Sequence, residues 1–525
     1  MVVLLEAIRK YMKIIILLLL ISSQVMAARK VTTNTGDGLV VGTRFDKYTH
    51  YQSIPYAKPP VGELRWKAPR KLERRSYVWD GRGFETRCAQ MENLFSGTQE
   101  KKFGEVVGSE DCLYLNIWAP KTRVFQKKPV FLWIHGGSNF KGVGADELYD
   151  GKNLAPAVDA VVVTINYRLG LLGAFTHSDF NQENELDNSG NYTTLDILAA
   201  LDWVRENIKY FGGDKNNITI AGESAGCMNV WGLLQTPLAK DKFHKAYCAS
   251  GIPNNYPKIV SNRVGANLVN KAKKARGIQQ NLKGDDLKDF IYNLSTEEII
   301  KISHGLVPIQ HISDGVVFPK LGLGSVLFGN LNRVPLMTGI NESEASFFIA
   351  PPIAGITEPQ LWSIANGESS DQPLFDFIND PIKLAAYNKA DEAAFLAMRT
   401  TVNTALRAAK IYLPAIYKYE LSFTSETEPW KSVFKSAHGL DLPLLFQKRE
   451  FNSKHFLRFL NDDLKTSRVK TLQKTWAGYL KNFIYTGDPN GDGLNTWENW
   501  SLLPWKDATM KIRADGFTPV SDSER

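Results

Sequence analysis

The amino-acid sequence predicts an α/β fold with a mostly parallel central sheet and helices on both faces. Three observations lead to this prediction. Strand-like apolar runs alternate with helical patterns through the first half of the chain, an order typical of parallel sheets. Residues 191–213 repeat apolar side chains at helical spacing. Residues 351–410 have a helical pattern without strand character, which predicts an insertion over the sheet.

The elements follow one another in a regular order. The predicted strands are 129–134, 160–168, 218–221, 245–251, 334–340 and 417–423. The helix over 191–213 is predicted from its apolar spacing and from the two glycines that end it, through Leu195, Leu198, Leu201, Val204, Ile208, Gly212 and Gly213. In open sheets of this kind, ligands bind beyond the carboxyl ends of the strands. The residues that follow each strand are therefore the candidates for function.

The N-terminus has the three parts of an export signal. Lys13 precedes the apolar run 14–21, and a small-residue end follows at Val25-Met26-Ala27. We expect a signal peptide over 1–27 with cleavage near Ala27, and hence a periplasmic or secreted protein. The apolar run is too short to span a membrane comfortably, so no stable membrane anchor is expected. Met12 is an alternative start. Residues 28–525 show no repeats or low-complexity linker, and we expect them to form a single domain.

Composition and charge narrow the function. The 525 residues are 43% hydrophobic and 22% charged, which is enough apolar material for a large core. The formal net charge is +8, but the basic residues are scattered, and the densest run, 271–276, fits a solvated helix face. Because clustered basic residues with interleaved aromatics are missing, we expect no nucleic-acid partner. The four cysteines make neither a disulfide scaffold nor a spaced zinc cluster.

Residues 222–226, with the sequence GESAG, have the features of a nucleophile elbow. The motif stands where the strand 218–221 turns into a helix, and glycines two residues before and after Ser224 would permit a very tight turn. The serine hydroxyl would be exposed at a helix N-terminus, which favours a developing negative charge. The alternative is an ordinary glycine-rich turn, so the motif needs catalytic partners.

Candidate partners follow the other strands. The loop His135-Gly136-Gly137-Ser138-Asn139 follows strand 129–134, and its small residues would let backbone N–H groups approach a substrate oxygen. His438 lies in a small-residue loop after a late strand. For the acid, the pattern alone leaves Glu344, Glu342, Asp314 and Asp441 open. The chain order of serine, acid and histidine is that of α/β-hydrolases.

These motifs together resemble the type-B carboxylesterase family, which includes the cholinesterases. The resemblance runs from about residue 30 to residue 505. It is carried, in family order, by 53–69 (SIPYAKPPVGELRWKAP), 109–120 (SEDCLYLNIWAP), 166–170 (NYRLG), 203–214 (WVRENIKYFGGD), 222–226 (GESAG), 339–348 (GINESEASFF), 437–446 (AHGLDLPLLF) and 482–490 (NFIYTGDPN). It implies the α/β-hydrolase fold, with helical insertions over the active site. It also implies hydrolysis of a small-molecule carboxylic ester without a cofactor or a metal.

The resemblance assigns roles to individual residues. Ser224 would be the nucleophile, His438 the base, and Glu344 the acid, since the family places its acid three residues after the asparagine of this motif. The oxyanion hole would be formed by the backbone N–H groups of Gly137, Ser138 and Ala225. Glu223 and Ser250 match positions behind the triad, where we expect them to hydrogen-bond.

Three departures from the family pattern affect the pocket and the turn after the acid. Ser138 replaces the usual third glycine of the oxyanion loop, and Asn139 replaces an aromatic residue that would line the pocket. Because a backbone N–H survives in any residue except proline, we expect the oxyanion hole to work. Ala345 follows the acid where the family usually has glycine, and its methyl group is tolerable at negative φ.

The resemblance also bears on the cysteines. Cys88 and Cys112 match the first disulfide of the family, and we expect them to be paired. Cys227 and Cys248 have no such match, and we interpret them as buried thiols. The segment 488–499 has Asp488, Asn490, Asp492 and Gly493 at the spacing of a calcium loop, but Asn499 occupies the position of the bidentate ligand. We therefore favour an ordinary turn there.

The substrate prediction rests on the loop 89–111. Cholinesterases hold the choline cation on a tryptophan in this loop. The loop here contains Phe95 and Phe103 but no tryptophan, and Lys101 and Lys102 would repel a cation if they faced the pocket. We expect an esterase for uncharged esters without a preference for choline esters. The alternatives are a lipase or acyltransferase with the same triad, and a non-catalytic binding protein on the same scaffold.

Overall fold

The computed structural model describes residues 29–83, 86–97, 101–121, 126–304, 306, 311–501 and 508–521. The expected signal peptide and its cleavage near Ala27 lie outside the described residues. None of the helices in the described part of the chain combines the length and the apolar character needed to cross a bilayer.

Strands and helices alternate from residue 128 onward. The strands are β1 (Arg29–Thr35), β2 (Gly38–Arg44), β3 (Tyr48–Pro55), β4 (Trp79–Asp80), β5 (Gln90–Met91), β6 (Val106–Val107), β7 (Tyr114–Pro120), β8 (Lys128–Ile134), β9 (Val161–Ile165), β10 (Gly213–Glu223), β11 (Lys245–Ala249), β12 (Tyr256–Pro257), β13 (Ile312–Ser313), β14 (Leu336–Asn341), β15 (Ile416–Leu421), β16 (Ala508–Arg513) and β17 (Gly516–Ser521).

The helices are α1 (Leu154–Val158), α2 (Gly170–Gly173), α3 (Tyr192–Asn207), α4 (Ala225–Gln235), α5 (Lys258–Ala275), α6 (Gly284–Tyr292), α7 (Thr296–Ser303), α8 (Ser346–Ala354), α9 (Glu358–Ala365), α10 (Gln372–Asn379), α11 (Pro381–Lys410), α12 (Trp430–Phe434), α13 (Leu442–Leu445), α14 (Asn461–Lys465) and α15 (Ser467–Thr486). Short 3₁₀ turns connect several of them.

One large sheet organises the molecule. Its strand order is β1-β2-β3-β7-β9-β8-β10-β11-β14-β15-β16-β17, with β4 beside β2. Every pair from β9 to β16 is parallel, whereas β1 to β9 and the pair β16–β17 are antiparallel. The prediction of a mostly parallel central sheet is confirmed, and the six predicted strands correspond to β8, β9, β10, β11, β14 and β15.

Both faces of the sheet are covered by apolar packing. Along β8, Val130 and Leu132 belong to one buried cluster, and Phe131 and Trp133 belong to the other. Successive side chains of a strand point to opposite faces, so the two clusters are the two sides of the sheet. This double burial explains why β8 is apolar along its length, and it confirms helices on both faces.

The predicted insertion is helical throughout. Residues 346–410 form α8 to α11, and the prediction of helix without strand over 351–410 is confirmed. Farther along the chain, the segment 488–499 is a closed turn. The Asn490 side chain accepts a hydrogen bond from Trp497 N at 2.7 Å and donates one to Asp488 Oδ1 at 2.7 Å. Two of the side chains that would face a cation in a calcium loop, those of Asp488 and Asn490, therefore bond within the turn.

Candidate active site

Ser224 stands on a strained turn between β10 and α4. Its φ is +57° and its ψ is −125°, a conformation that side chains rarely adopt. The positions two residues before and after Ser224 leave no room for a side chain, so both must be glycine. A Cβ on Gly222 would lie 2.4 Å from the carbonyl carbon of Gly226, and a Cβ on Gly226 would lie 2.0 Å from Ile134 O. The tight turn predicted from GESAG is present.

Two loops bring Glu344 and His438 to the same end of the sheet. Glu344 follows β14 and His438 comes after β15, which lies beside β14. The loops are tied together, because Ser343 N donates to Ser436 O at 3.1 Å and Asn341 Nδ2 donates to Ala437 O at 2.6 Å. This pairing places a carboxylate and an imidazole side by side although they are far apart in sequence.

His438 contacts a carboxylate at each ring nitrogen. Its Nδ1 is hydrogen-bonded to Glu344 Oε2 at 2.5 Å. Its Nε2 lies 2.9 Å from Glu223 Oε1, although the two atoms do not have hydrogen-bond geometry. Within the described residues, no hydrogen bond joins the ring to Ser224, but both side chains line one cavity. Ser224, Glu344, His438 and Glu223 are thus brought together, but Glu223 Oε1 does not make the hydrogen bond that was expected of this residue.

Glu344 is held from behind. Its Oε1 accepts a hydrogen bond from Ser250 Oγ at 2.6 Å and another from Asn341 N at 2.7 Å. Both oxygens of this buried carboxylate are therefore bonded, which fixes its orientation toward the imidazole. Ser250 occupies the supporting position that was expected of it.

The other candidate acids are engaged elsewhere. Glu342 Oε1 pairs with Lys511 Nζ at 2.5 Å. Asp314 accepts hydrogen bonds from the backbone N–H groups of Val317 and Phe318 within its own turn. Asp441 is fully buried and accepts a bond from the Tyr419 hydroxyl at 3.1 Å. Glu344 is the candidate that contacts the imidazole through a hydrogen bond.

The charges around the imidazole shift two pKa values. Burial lowers the pKa of His438, but the carboxylates of Glu223 and Glu344 raise it more, and the result is well above the usual value. Burial, together with the same two carboxylates, raises the pKa of Asp441 to about 7. Sequence reasoning named Asp441 only as an alternative acid and gave no sign of this cluster, because its members come from separate loops.

The oxyanion loop lies against Ser224. Gly136, Gly137 and Ser138 line the same cavity as Ser224, and Ala225 begins α4 directly after the serine. Gly137 and Ser138 have φ of +101° and +56°. The loop closes on itself, since Phe140 N donates to Gly137 O at 3.0 Å. Gly137 and Ser138 therefore share a cavity with Ser224, and Ala225 is its neighbour in the chain.

Asn139 explains one departure from the family pattern. Its side chain is buried and exchanges amide hydrogen bonds with Asn229 of α4, at 2.9 Å and 3.3 Å. The asparagine thus ties the oxyanion loop to the helix that begins after Ser224. It does not line the catalytic cavity, so the aromatic wall is provided by other residues.

The catalytic cavity is small, and a larger one adjoins it. The first has a volume of about 50 Å³ and an aromatic wall of Phe95, Phe348 and Phe456. The second has a volume of about 800 Å³ and shares Ser138 and Lys141 with the first. Phe348 belongs to α8, so the helical insertion contributes to the catalytic cavity. The larger cavity offers room for the part of a substrate that extends past the oxyanion loop.

Lys101 and Lys102 of the loop 89–111 do not face the catalytic cavity, where they would have repelled a cation. Lys101 lines a separate polar cavity, where its Nζ lies 3.4 Å from Glu92 Oε1 and 4.8 Å from the Trp362 ring centre. Lys102 is exposed. Neither lines the catalytic cavity, and the lysine that does so is Lys141.

All four cysteines are paired. Cys88 is bonded to Cys112, as the resemblance implies. The interpretation of Cys227 and Cys248 as buried thiols is wrong, because the structure joins them in a second disulfide. Cys248 sits on β11 beside Gly222 of β10, and Cys227 lies in the first turn of α4. The two Cα atoms lie 4.6 Å apart, within the range a disulfide requires.

Comparisons with known proteins show the family to which the chain belongs. The model of the Carboxylesterase family matches residues 27–377. Para-nitrobenzyl esterase of Bacillus subtilis is 30% identical over 484 residues, which cover 90% of this chain and 92% of that protein. Human cocaine esterase is 30% identical over 501 residues, which cover 89% of this chain and 85% of that protein.

The solved structures agree as well. A structure of PNB esterase superimposes with a TM-score of 0.74 at 30% identity, covering 94% of this chain and 97% of that one. The chain therefore belongs to the carboxylesterase family, has the α/β-hydrolase fold, and is a carboxylic ester hydrolase.

Proposed function

We propose that this enzyme hydrolyses uncharged carboxylic esters through an acyl-enzyme intermediate on Ser224, with His438 as general base and Glu344 as its orienting acid. One observation carries the proposal. Ser224 and His438 line a single cavity, and the ring of His438 is hydrogen-bonded to Glu344 on its far side at 2.5 Å. This is the arrangement that nucleophilic catalysis by a serine needs.

The steps follow from these positions. Glu344 holds the Nδ1 proton of His438, so Nε2 is the nitrogen that receives the Ser224 proton while the hydroxyl attacks the ester carbonyl. The imidazolium then gives that proton to the leaving alcohol, and an acyl group remains on Ser224. Water, deprotonated by the same nitrogen, releases the acid. Atoms and protons return to their starting places, and His438 needs to be neutral at the start of each half-reaction.

The oxyanion that forms in both steps would be bound by the backbone N–H groups of Gly137, Ser138 and Ala225. Each such donor typically lowers the barrier by roughly 3 kcal/mol. The position of Ala225 at the first turn of α4 adds the favourable end of the helix dipole. The hydrogen-bonded turn from Gly137 to Phe140 supports the required loop shape before substrate arrives.

The expected substrate is not a choline ester. The aromatic residues that the loop 89–111 contributes to the cavities are Phe95 and Phe103. A phenylalanine binds a desolvated cation more weakly than a tryptophan does. Lys141, which also lines the catalytic cavity, would repel a quaternary ammonium group. Both features support a preference for substrates without a positive charge.

Activity measurements on Ser224→Ala test the proposal. We expect the variant to fold, to lose more than 99% of 4-nitrophenyl acetate hydrolysis, and to lose labelling by a fluorophosphonate probe. In the wild type, a neutral acetate ester is expected to have a higher kcat/KM than acetylcholine.

Residual hydrolysis above about 1% in Ser224→Ala would remove Ser224 from the nucleophile role. An unlabelled and inactive wild type would favour a binding protein, and a strong preference for long acyl chains would favour a lipase.

Export is part of the same proposal. The expected signal peptide over 1–27 would direct the chain out of the cytoplasm, and two disulfides are the kind of bond that persists in an oxidising compartment. Edman sequencing of protein recovered from the native host is expected to begin at Ala28. An intact N-terminus beginning at Met1 or Met12 would contradict cleavage.

A further inference from the structure

Lys141 is fixed beside the oxyanion loop. Its backbone N–H donates to Gly137 O at 3.1 Å, so its Cα cannot move independently of the loop that precedes it. Its side chain lines the catalytic cavity of about 50 Å³ and also the adjoining cavity of about 800 Å³. Lys141 therefore borders both cavities, and an ester long enough to extend from one into the other would lie near it.

The ammonium group of Lys141 lacks a close counter-charge. Its Nζ lies 4.7 Å from the centre of the Phe95 ring. Within the described residues, no carboxylate oxygen comes within ion-pair distance, and Glu358 acts on it only over a longer distance. Lys128, by contrast, is buried and paired with Asp159 at 2.7 Å, and buried Lys245 is hydrogen-bonded to Asn217 Oδ1. Burial lowers the pKa of Lys141, and the Glu358 carboxylate offsets part of that shift, so the ammonium charge is disfavoured at this position.

A ligand can remove that cost. A cation in apolar surroundings is stabilised by an anion that brings it hydrogen bonds, and a carboxylate is the anion that fits a single ammonium group. A neutral alkyl chain would leave the charge uncompensated, and a cationic alcohol would add repulsion. The remaining lining near Lys141, including Phe95 and Phe140, can pack against the chain that joins the ester to the carboxylate.

We propose that Lys141 is a specificity-determining residue that selects esters whose acyl or alcohol part carries a carboxylate. This inference rests on the ester hydrolysis and triad of the proposed function, and it departs from the uncharged substrates proposed there, because the selected ester carries a negative charge. Four carboxylates limit the effect to a preference, because they repel a second negative charge: Glu92 and Glu358 line the larger cavity, and Asp146 and Glu223 line the catalytic one.

Paired probes test the acyl and alcohol sides separately. On the acyl side, 4-nitrophenyl hydrogen glutarate is compared with 4-nitrophenyl valerate, which has the same chain length. On the alcohol side, 4-acetoxybenzoate is compared with 4-acetoxybenzamide. The measured quantity is the kcat/KM of the anionic probe divided by that of the neutral probe, in the wild type and in Lys141→Met, Lys141→Gln and Lys141→Arg. Lys102→Met, which removes an exposed lysine, is the matched control.

The ratio is expected to fall by about ten- to hundredfold in Lys141→Met and Lys141→Gln on one of the two sides, as for the loss of a hydrogen bond to a charged group. Lys141→Arg is expected to keep most of the ratio, and Lys102→Met is expected to leave it unchanged. If the ratio stays constant on both sides in the Met and Gln variants, the inference is overturned, while neutral-ester hydrolysis that depends on Ser224 still upholds the proposed function. If the wild type did not hydrolyse the neutral esters at all, both the inference and the proposed function would be overturned.

Discussion

The His438 ring lies between two carboxylates that have different consequences. Glu344 is hydrogen-bonded to Nδ1 and is itself held by Ser250 and Asn341, so it orients the ring. Glu223 lies 2.9 Å from the other nitrogen without hydrogen-bond geometry, so it acts chiefly through its charge. That charge helps raise the pKa of His438 and keeps the ring protonated to a higher pH. A protonated ring cannot accept the serine proton.

Replacing Glu223 with glutamine is expected to shift the acidic limb of kcat/KM to lower pH by about one unit. The substitution removes a negative charge, the pKa of His438 falls, and the neutral base is present at lower pH. The pH profile of kcat/KM for a neutral 4-nitrophenyl ester measures the shift, because this profile reports groups in the free enzyme. Glu342→Gln, which removes a carboxylate paired with Lys511, is the control and is expected to leave the limb in place. If the acidic limb of the Glu223→Gln profile moved to higher pH, the effect assigned to the Glu223 charge would be contradicted.

The turn between β10 and α4 depends on the absence of side chains at two positions. Gly226 approaches the end of β8 so closely that the helix can begin directly beside the oxyanion loop. The second disulfide then joins α4 to β11 one residue later in the helix. Strand, helix and neighbouring strand are thereby locked around Ser224, which holds the serine in a conformation that an isolated peptide would not keep.

The Gly226→Ala variant is expected to be destabilised by about 3 kcal/mol or more, or to fail to fold, because the added methyl would overlap the carbonyl of Ile134. Gly478→Ala is the matched control. Gly478 lies within α15, where a Cβ would meet Leu494 at an ordinary contact distance of 3.4 Å, and alanine gains about 1 kcal/mol of helix propensity. Chemical denaturation followed by circular dichroism compares the two. Equal stability of both variants would show that the turn has room to relax.

The whole molecule buries several titratable groups. His135 and His311 are fully buried, His50 is partly buried, and burial lowers the pKa of each to about 4. Between pH 6.5 and 4 the unfolded chain binds protons that the folded chain does not, so stability falls as the pH falls. Asp441 opposes this trend, because its pKa is raised to about 7 and the folded chain binds its proton first.

The free energy of unfolding is expected to fall by a few kcal/mol between pH 7 and pH 4.5. His135 and His311 each contribute roughly 3 kcal/mol to this fall, and the protonation of Asp441 offsets part of it. The melting temperature, measured by calorimetry at half-unit steps, is expected to fall over this range. His50→Phe keeps the stack on Trp118 and removes one titrating group, so it should make the fall shallower. A melting temperature that stays constant or rises on acidification would contradict the expectation that the buried histidines outweigh Asp441.

The strands outside the parallel centre of the sheet are the ones that the sequence pattern did not predict. The strands from β8 to β15 of the parallel centre were predicted because they are apolar on both faces. The strands β1, β2, β3, β7, β16 and β17 were not predicted. β7 and β16 are buried, but β1, with the sequence RKVTTNT, is exposed along much of its length. An exposed edge strand needs no apolar run, so its signal is too weak to separate it from a loop.

The sequence alone determined the fold class, the elbow around Ser224 and the order of the candidate triad, because each depends on short motifs and on their succession along the chain. The tertiary structure decided what depends on side-chain direction and on contacts between distant segments. It paired Cys227 with Cys248, turned Asn139 inward onto Asn229, and placed Lys141 in the catalytic cavity instead of Lys101. A linear pattern carries no information on such contacts, because loops bring them together only when the sheet has formed.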